Sequence, residues 1–327
     1  MTEVATAWDE ARAWHGRRTT DSSTWPPERL LELKQAGGHR ISVVVPARDE
    51  AHLVGGVVRL VRRDLVERLP LVDELVVIDS DSTDATADVA ATAGAQVFAS
   101  SAVAPELGTH PGKGEALWKS LFVTTGDLLV FIDADLRHWG THFVTGLLGP
   151  MLSDPGTLLV KGFYDRILAE GGRAHSTEGG RVTELVARPV LSLWWPQLAA
   201  VVQPLAGEWA IRRALLETLP VPTAYGIEIA TLIDTFERHG LDAIAQVDLG
   251  SRAHEHQHVH DLGLMAAELL AVVDRRRGHA GALASAALHQ PVREDGSPAW
   301  RSRQIPLAER PPAVTVPAAR RTSREGR

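Results

Sequence analysis

An α/β protein built on a mostly parallel, doubly wound sheet is the fold predicted here, on three observations. Short β-branched runs alternate with helical patterns from residue 41 to residue 132. Two of those runs end in acid clusters, Asp79-Ser80-Asp81-Ser82-Thr83-Asp84 and Asp133-Ala134-Asp135. An unpaired buried charge is very costly, so both clusters mark the rim of a sheet and not its interior. Finally, 327 residues with 44% hydrophobic content can bury a full core.

The elements follow in order. Residues 1–38 are polar, with one short helix expected where Pro26-Pro27-Glu28 leads into Arg29–Leu33, because proline suits a first helical turn. Ile41–Val45 reads as a strand stopped by Pro46, followed by a helix over 50–63. Glu74–Ile78 is the second strand, and the polar cluster behind it can cap a helix over 85–93. Gln96–Phe98 is the third strand, 99–113 a loop, 114–124 a helix, and Leu128–Ile132 the strand that carries the acids. Further on, 158–162 and 243–247 read as strands, 171–180 as a Gly-rich loop, and 182–193, 226–239 and 262–277 as helices. From residue 288 the chain is rich in Pro, Arg and Ser, and a disordered basic tail is expected.

Composition narrows the function. A net charge of -7 argues against general binding to nucleic acid. The absence of cysteine excludes disulfides and thiolate metal sites. No apolar stretch reaches membrane-spanning length and the N-terminus has no apolar signal region, so a soluble cytoplasmic protein is expected.

Several residues point to chemistry. Open α/β sheets bind ligands at the carboxyl ends of their strands. Asp133 and Asp135 at such an end suit a hard divalent ion bridging two phosphates, although a helix cap or surface turn would use the same residues. Lys113 stands between Gly112 and Gly114, where backbone can approach a ligand and an ammonium can meet phosphate. Gly180, Arg181, Val182 and Thr183 lie where a Gly-rich loop enters a helix, offering amides, a guanidinium and a hydroxyl to an anion; a plain helix start with an exposed arginine is the competing reading. His254, His256, His258 and His260 alternate, so an extended strand could align them on one face for a transition metal, while a polar loop explains His258 and His260 more cheaply. Trp194, Trp195 and Trp209 read as core or interface aromatics.

The turns Ile41–Glu50 and Asp79–Asp84, with Asp133-Ala134-Asp135, resemble the nucleotide-contacting motifs of GT-A glycosyltransferases in the order that fold requires. Pro111–Trp118, Gly179–Pro189, Gln203–Glu208, Tyr225–Glu228 and Leu241–Gln246 resemble glucosyl-3-phosphoglycerate synthases, and the similarity spans residues 20–290. That resemblance implies a retaining transfer of glucose from UDP-glucose to 3-phosphoglycerate, aided by Mg²⁺ or Mn²⁺, in a homodimer. With the composition of the two ends, four parts are expected: an N-terminal segment (1–38), a nucleotide-sugar half (39–150), an acceptor and helical half (151–287) and the tail (288–327). By the same resemblance Pro46, Ala47, Arg48, Asp49, Glu50 and Ser80 embrace the uridine. Lys113, Asp133, Ala134, Tyr225, Gly226, Ile227 and Glu228 receive the rest of the donor. Asp135 and His254 hold the metal, and Gly180, Arg181, Val182, Thr183 and His256 face the acceptor. Asp135, Lys113 and Glu228 carry catalysis, Glu228 by accepting sugar hydroxyls and not by nucleophilic attack. The chain departs from the family's usual Leu-Asn at Arg48-Asp49, from its three glycines at Glu178, and from its usual Asn at His256. Three rival readings remain: a related transferase using GDP-mannose or a polyprenyl phosphate, a sugar nucleotidylyltransferase, and a non-catalytic sensor.

Overall fold

A computed structural model of the protein describes residues 3–168, 180–254, 259–278, 285–294 and 297–316. His256, His258, most of the Gly-rich stretch at 171–180 and residues 317–327 lie outside the described residues.

The chain runs α1 (Glu3–Arg18), β1 (Thr19–Asp21), α2 (Pro27–Gly37), β2 (Ile41–Ala47), α3 (Val54–Val61), β3 (Glu74–Asp79), α4 (Thr86–Ala93), β4 (Gln96–Ala99), α5 (Lys113–Ser120) and β5 (Leu128–Phe131). It continues through α6 (His142–Ser153), β6 (Leu159–Leu168), α7 (Arg188–Trp194), β7 (Trp209–Arg212), α8 (Arg213–Leu216), β8 (Val221–Pro222), α9 (Ile227–His239), β9 (Ile244–His254) and α10 (Val259–Arg276). It ends in β10 (Ala287–Glu294), β11 (Ser297–Gln304) and β12 (Glu309–Arg310).

One eight-stranded sheet, ordered β1-β9-β6-β7-β5-β2-β3-β4, is the frame. Its pairs are parallel except those of β7, which is antiparallel to both β5 and β6. The period-2 alternation of β2 shows why the run is a strand buried on both faces. Val43 and Val45 pack with Val54, Val57 and Val58 of α3, while Val44 joins Trp118 and Trp209 on the other face. All three valines are fully buried, each worth about 1.5–3 kcal/mol relative to exposure.

Three expectations need correction. The polar N-terminus forms α1, whose Trp14 is fully buried and donates its Nε1–H to Ile244 O at 2.9 Å. Pro46 does not stop β2, which pairs with β3 as far as Ala47, whereas pairing with β5 ends at Val44. Proline is tolerated where a ladder has ended. The described residues of the tail up to 316 are ordered into the fold: β10 and β11 pair antiparallel, β12 pairs with β8, and Ala313 and Val316 are buried. The eight-stranded sheet also takes in β6, β7 and β9 from the chain beyond residue 150. Among the described residues no helix is long and apolar enough to cross a membrane.

Candidate active site

Topology gathers the site. Because β7 is antiparallel to β5, with Trp209 opposite Phe131, the residues just before β7 stand beside those just after β5. Gly207 and Glu208 thereby meet Asp133 and Asp135. β9, parallel to β6, carries Arg252 to the same rim, while α5 opens on Lys113 and α9 carries Glu228 in its first turn.

Lys113 Nζ donates to Asp133 Oδ1 at 2.6 Å and lies 2.9 Å from Glu228 Oε1. The Arg252 guanidinium bonds Glu208 Oε1 at 2.5 Å, Asp135 Oδ1 at 2.7 Å, the Tyr164 hydroxyl at 3.2 Å and Asp133 Oδ2 at 3.4 Å. Four carboxylates thus surround two cations. Burial opposes the charge on Lys113, yet Asp133 and Glu228 outweigh it and hold the ammonium well above its usual pKa. Burial likewise disfavours ionised Asp133, but Lys113 and Arg252 keep that carboxyl well below the usual range. Asp135 and Glu208 are pushed up, in both cases first by burial; the Asp133 charge adds to this and Arg252 opposes it. The surplus of negative charge at one rim is a place for a further cation.

Gly207 has a steric reason. A Cβ there would stand 2.3 Å from Asp133 Oδ2 and 2.8 Å from Lys113 Nζ. The backbone therefore lies directly against the ion pair, and a side chain at this position would have to push Asp133 and Lys113 aside.

Lys161 sits beneath this wall, fully buried, with Nζ donating to Ala206 O at 2.8 Å and lying 5.7 Å from the Trp209 ring centroid. Burial pushes its pKa down to about 8. The unfolded chain then holds more protons than the folded one between pH 8 and the ordinary lysine value, so this residue makes stability rise with pH across that window. Relative to Lys161→Met, the wild type is expected to gain about 2 kcal/mol in urea unfolding between pH 7.5 and 10. A pH-independent difference would show that Lys161 titrates normally.

The two turns expected to embrace a nucleoside are knitted together. The Asp49 carboxylate accepts from Thr83 N at 2.8 Å, and the amides of Asp49 and Glu50 donate to Ser82 Oγ at 2.9 Å and Thr86 Oγ1 at 2.7 Å. Ser80 N donates to Ala47 O at 2.8 Å. Asp49 and Asp81 adopt positive φ, 55° and 56°, and these bonds hold Asp49 in that strained conformation. Pro46 is half-buried, Ala47 buried, and Arg48 and Asp49 exposed at the crevice.

The structure brings Lys113, Asp133, Asp135 and Glu228 together as expected, with Ala134, Gly226 and Ile227 buried beside them and Tyr225 half-exposed. Gly180–Thr183 opens a helical segment that packs against α10; Arg181 is exposed, whereas Val182 and Thr183 are buried. The His254 backbone closes β9 opposite Leu168, but its imidazole, like all of His256, lies outside the described residues. Sequence reading missed Arg252 and Lys161 as members of the site. Their signal was present: Lys161 interrupts the apolar run Leu158–Phe163, and Arg252 stands two residues before His254.

An open, mostly parallel sheet with acids and a lysine at the carboxyl ends of its central strands defines a nucleotide-sugar glycosyltransferase of the GT-A type. The sequence model for glycosyl transferase family 2 matches residues 42–205. The chain is 43% identical over 304 residues to glucosyl-3-phosphoglycerate synthase of Mycolicibacterium smegmatis, spanning 92% of this chain and 99% of that one. Its identity to the Petrotoga mobilis enzyme of the same name is 42% over 295 residues, 89% of this chain and 91% of the relative. Among solved structures, mannosyl-3-phosphoglycerate synthase from Rubrobacter xylanophilus matches with TM-score 0.86 and 38% identity, over 93% of this chain and 99% of that one. Glucosyl-3-phosphoglycerate synthase from Mycobacterium tuberculosis, in complex with Mn²⁺ and UDP-glucose, matches with TM-score 0.79 and 42% identity, over 90% and 96%. The chain belongs to the glucosyl-3-phosphoglycerate synthase family.

Proposed function

We propose that this protein is a retaining glucosyltransferase that moves glucose from UDP-glucose to 3-phosphoglycerate, releasing UDP, with Mg²⁺ or Mn²⁺ as its metal. The observation that carries the reading is the Lys113–Asp133–Glu228 and Arg252–Asp135–Glu208 cluster, set in a fold that matches a relative solved with Mn²⁺ and UDP-glucose. The residues fit a hard divalent ion: Asp135 is half-exposed and reaches solvent, and the buried Glu208 Oε2 has no hydrogen-bond partner. Asp135 with His254 would hold the ion, which when bound supplies Lewis-acid stabilisation of a departing diphosphate.

The chain's own groups do the rest. Lys113 offers a point charge to the diphosphate. Glu228, buried and already paired with Lys113 at 2.9 Å, is fixed for accepting sugar hydroxyls and is poorly placed to attack a carbon. Pro46–Glu50 and Ser80 form the nucleoside cradle, with Asp133, Ala134 and Tyr225–Glu228 lining the remainder of the donor site. Gly180–Thr183 and His256 receive the phosphorylated acceptor. Arg181→Ala is accordingly expected to raise KM for 3-phosphoglycerate about tenfold, and KM for UDP-glucose less than about twofold. Equal effects on both constants would remove the acceptor role.

A second reading is favoured by the match to a mannosyl-3-phosphoglycerate synthase structure, namely a GDP-mannose donor. Incubation with 3-phosphoglycerate, Mg²⁺ and either UDP-glucose or GDP-mannose, followed by mass analysis of the nucleotide product, separates the two: UDP supports the first, GDP the second. Pyrophosphate released from a nucleoside triphosphate would instead mark a nucleotidylyltransferase. A cytoplasmic homodimer belongs to the same reading, with exposed Leu185, Leu193 and Trp194 offering apolar surface for a second copy.

A further inference from the structure

We infer that Arg310, in the C-terminal strap of residues 305–316, is a positioning residue for the transfer reaction, fixing the donor-side pair Lys113 and Glu228 through Glu115 and the backbone of 221–224. The inference rests on the donor role proposed above for that pair. Glu115 is fully buried in the first turn of α5, two residues beyond Lys113. Arg310 grips it with two parallel bonds, Nε to Oε2 at 2.7 Å and an Nη to Oε1 at 2.6 Å. The same guanidinium donates to Leu107 O at 2.8 Å and Gly108 O at 3.0 Å, the loop that leads into α5, and lies 4.9 Å from the Trp118 ring centroid. Trp118 Nε1 in turn donates to Pro311 O at 3.0 Å.

The second route runs through backbone. Arg310 and Glu309 pair with Val221 and Pro222 of β8, and Thr223 N donates to Ala308 O at 3.0 Å. Thr223 and Ala224 then accept from the amides of Glu115 at 2.9 Å and Gly114 at 3.2 Å. The fit is close: a Cβ on Gly112 would stand 2.5 Å from Thr223 O, and one on Gly114 1.8 Å from Pro222 O. Three residues beyond Ala224 the chain enters α9, which carries Glu228. Glu309 anchors the strap on its other side, to Arg275 at 3.0 Å and Arg276 at 2.7 Å, and Arg276 holds Asp234 of α9 at 2.9 Å. One strap therefore braces both helices whose starts form the 2.9 Å Lys113–Glu228 pair. A displacement of about 1 Å in such a pair can cost a hundredfold in rate.

Steady-state kinetics with UDP-glucose, 3-phosphoglycerate and Mn²⁺ on Arg310→Met, Arg310→Lys and Glu115→Gln test this. Arg310→Met should lower kcat and raise KM for UDP-glucose by about tenfold each, with KM for 3-phosphoglycerate held within about twofold. Arg310→Lys should recover only part, because an ammonium cannot reproduce a two-pronged bond. Glu115→Gln should add little on top of Arg310→Met, since both act through one link. Equal rises in both KM values, or unchanged constants in a folded variant, would overturn the positioning role and leave the strap as scaffold. Should Arg310→Met fail to fold, Arg310→Lys is judged by the same criteria. A wild-type protein that makes no glucosylated product removes the function reading itself, a result distinct from an active wild type matched by its Arg310 variants.

Discussion

Asp135→Asn is expected to lower metal-dependent transfer by about a hundredfold to a thousandfold while leaving the fold intact. The two halves of that expectation have separate causes. Asp135 follows β5 and its side chain is 51% exposed, so converting it to an amide disturbs no packed core. Arg252 loses one charged partner at 2.7 Å but keeps Glu208 at 2.5 Å and Asp133 at 3.4 Å, so it remains anchored. Function is another matter, because an amide oxygen carries no net charge to hold a divalent ion against water. Initial rates across a Mn²⁺ titration, with thermal unfolding of the same samples, separate the halves. Wild-type rates at every metal concentration would withdraw the metal role of Asp135. A melting temperature lowered by more than a few degrees would show instead that Asp135 matters chiefly as the partner of Arg252.

The nucleotide half of the fold was readable because its signals are local. Ile41–Val45, Glu74–Ile78 and Leu128–Ile132 are apolar runs that end in acids or turns, and each is found at its expected place within a residue or two. Such a run declares both its strand and its rim. What escaped depends on contacts between distant residues. α1 reads as polar, since its mean character is set by exposed charges, yet one buried face carries Trp14 to Ile244, 230 residues away. The segment after 288 has the composition of a disordered tail, but Arg310 finds Glu115 across 195 residues and Ala313 and Val316 find the core. Composition measures what a segment can bury alone and says nothing of what it can join. The site shows the same limit. Asp133, Asp135 and Lys113 were legible because their neighbours are turn glycines and strand ends. The pairing of Arg252 with Glu208 was not, because only the reversed direction of β7 brings residue 208 beside residue 133, and no local motif announces an antiparallel strand within a parallel sheet.

Arg252 is where that non-local arrangement can be tested most severely. Its side chain is 3% exposed and bonds three carboxylates, of which Glu208 is completely buried. Replacing it by methionine fills similar space but leaves those carboxylates facing one another with the buried Glu208 stripped of its counter-charge. Breaking a buried ion pair by removing one partner costs about 3–5 kcal/mol, and Arg252→Met is expected to lose that much near neutral pH, together with transfer activity. The pH dependence gives the cause. Burial already pushes the Glu208 carboxyl up, and Arg252 is the charge that opposes the shift. Without it the folded state binds a proton more readily than the unfolded chain, so stability falls as pH rises through the raised pKa and returns as pH drops. Urea unfolding at pH 5.5 and pH 8 should therefore show a smaller loss at the lower pH for Arg252→Met. Adding Glu208→Gln should recover part of the loss at pH 8, because the amide no longer needs a counter-charge. If Arg252→Met were destabilised equally at both pH values and Glu208→Gln gave no recovery, the penalty would come from lost packing. The carboxylates of this rim would then be solvated well enough to stand without their arginine, and the electrostatic case for a cation-seeking site would fall with them.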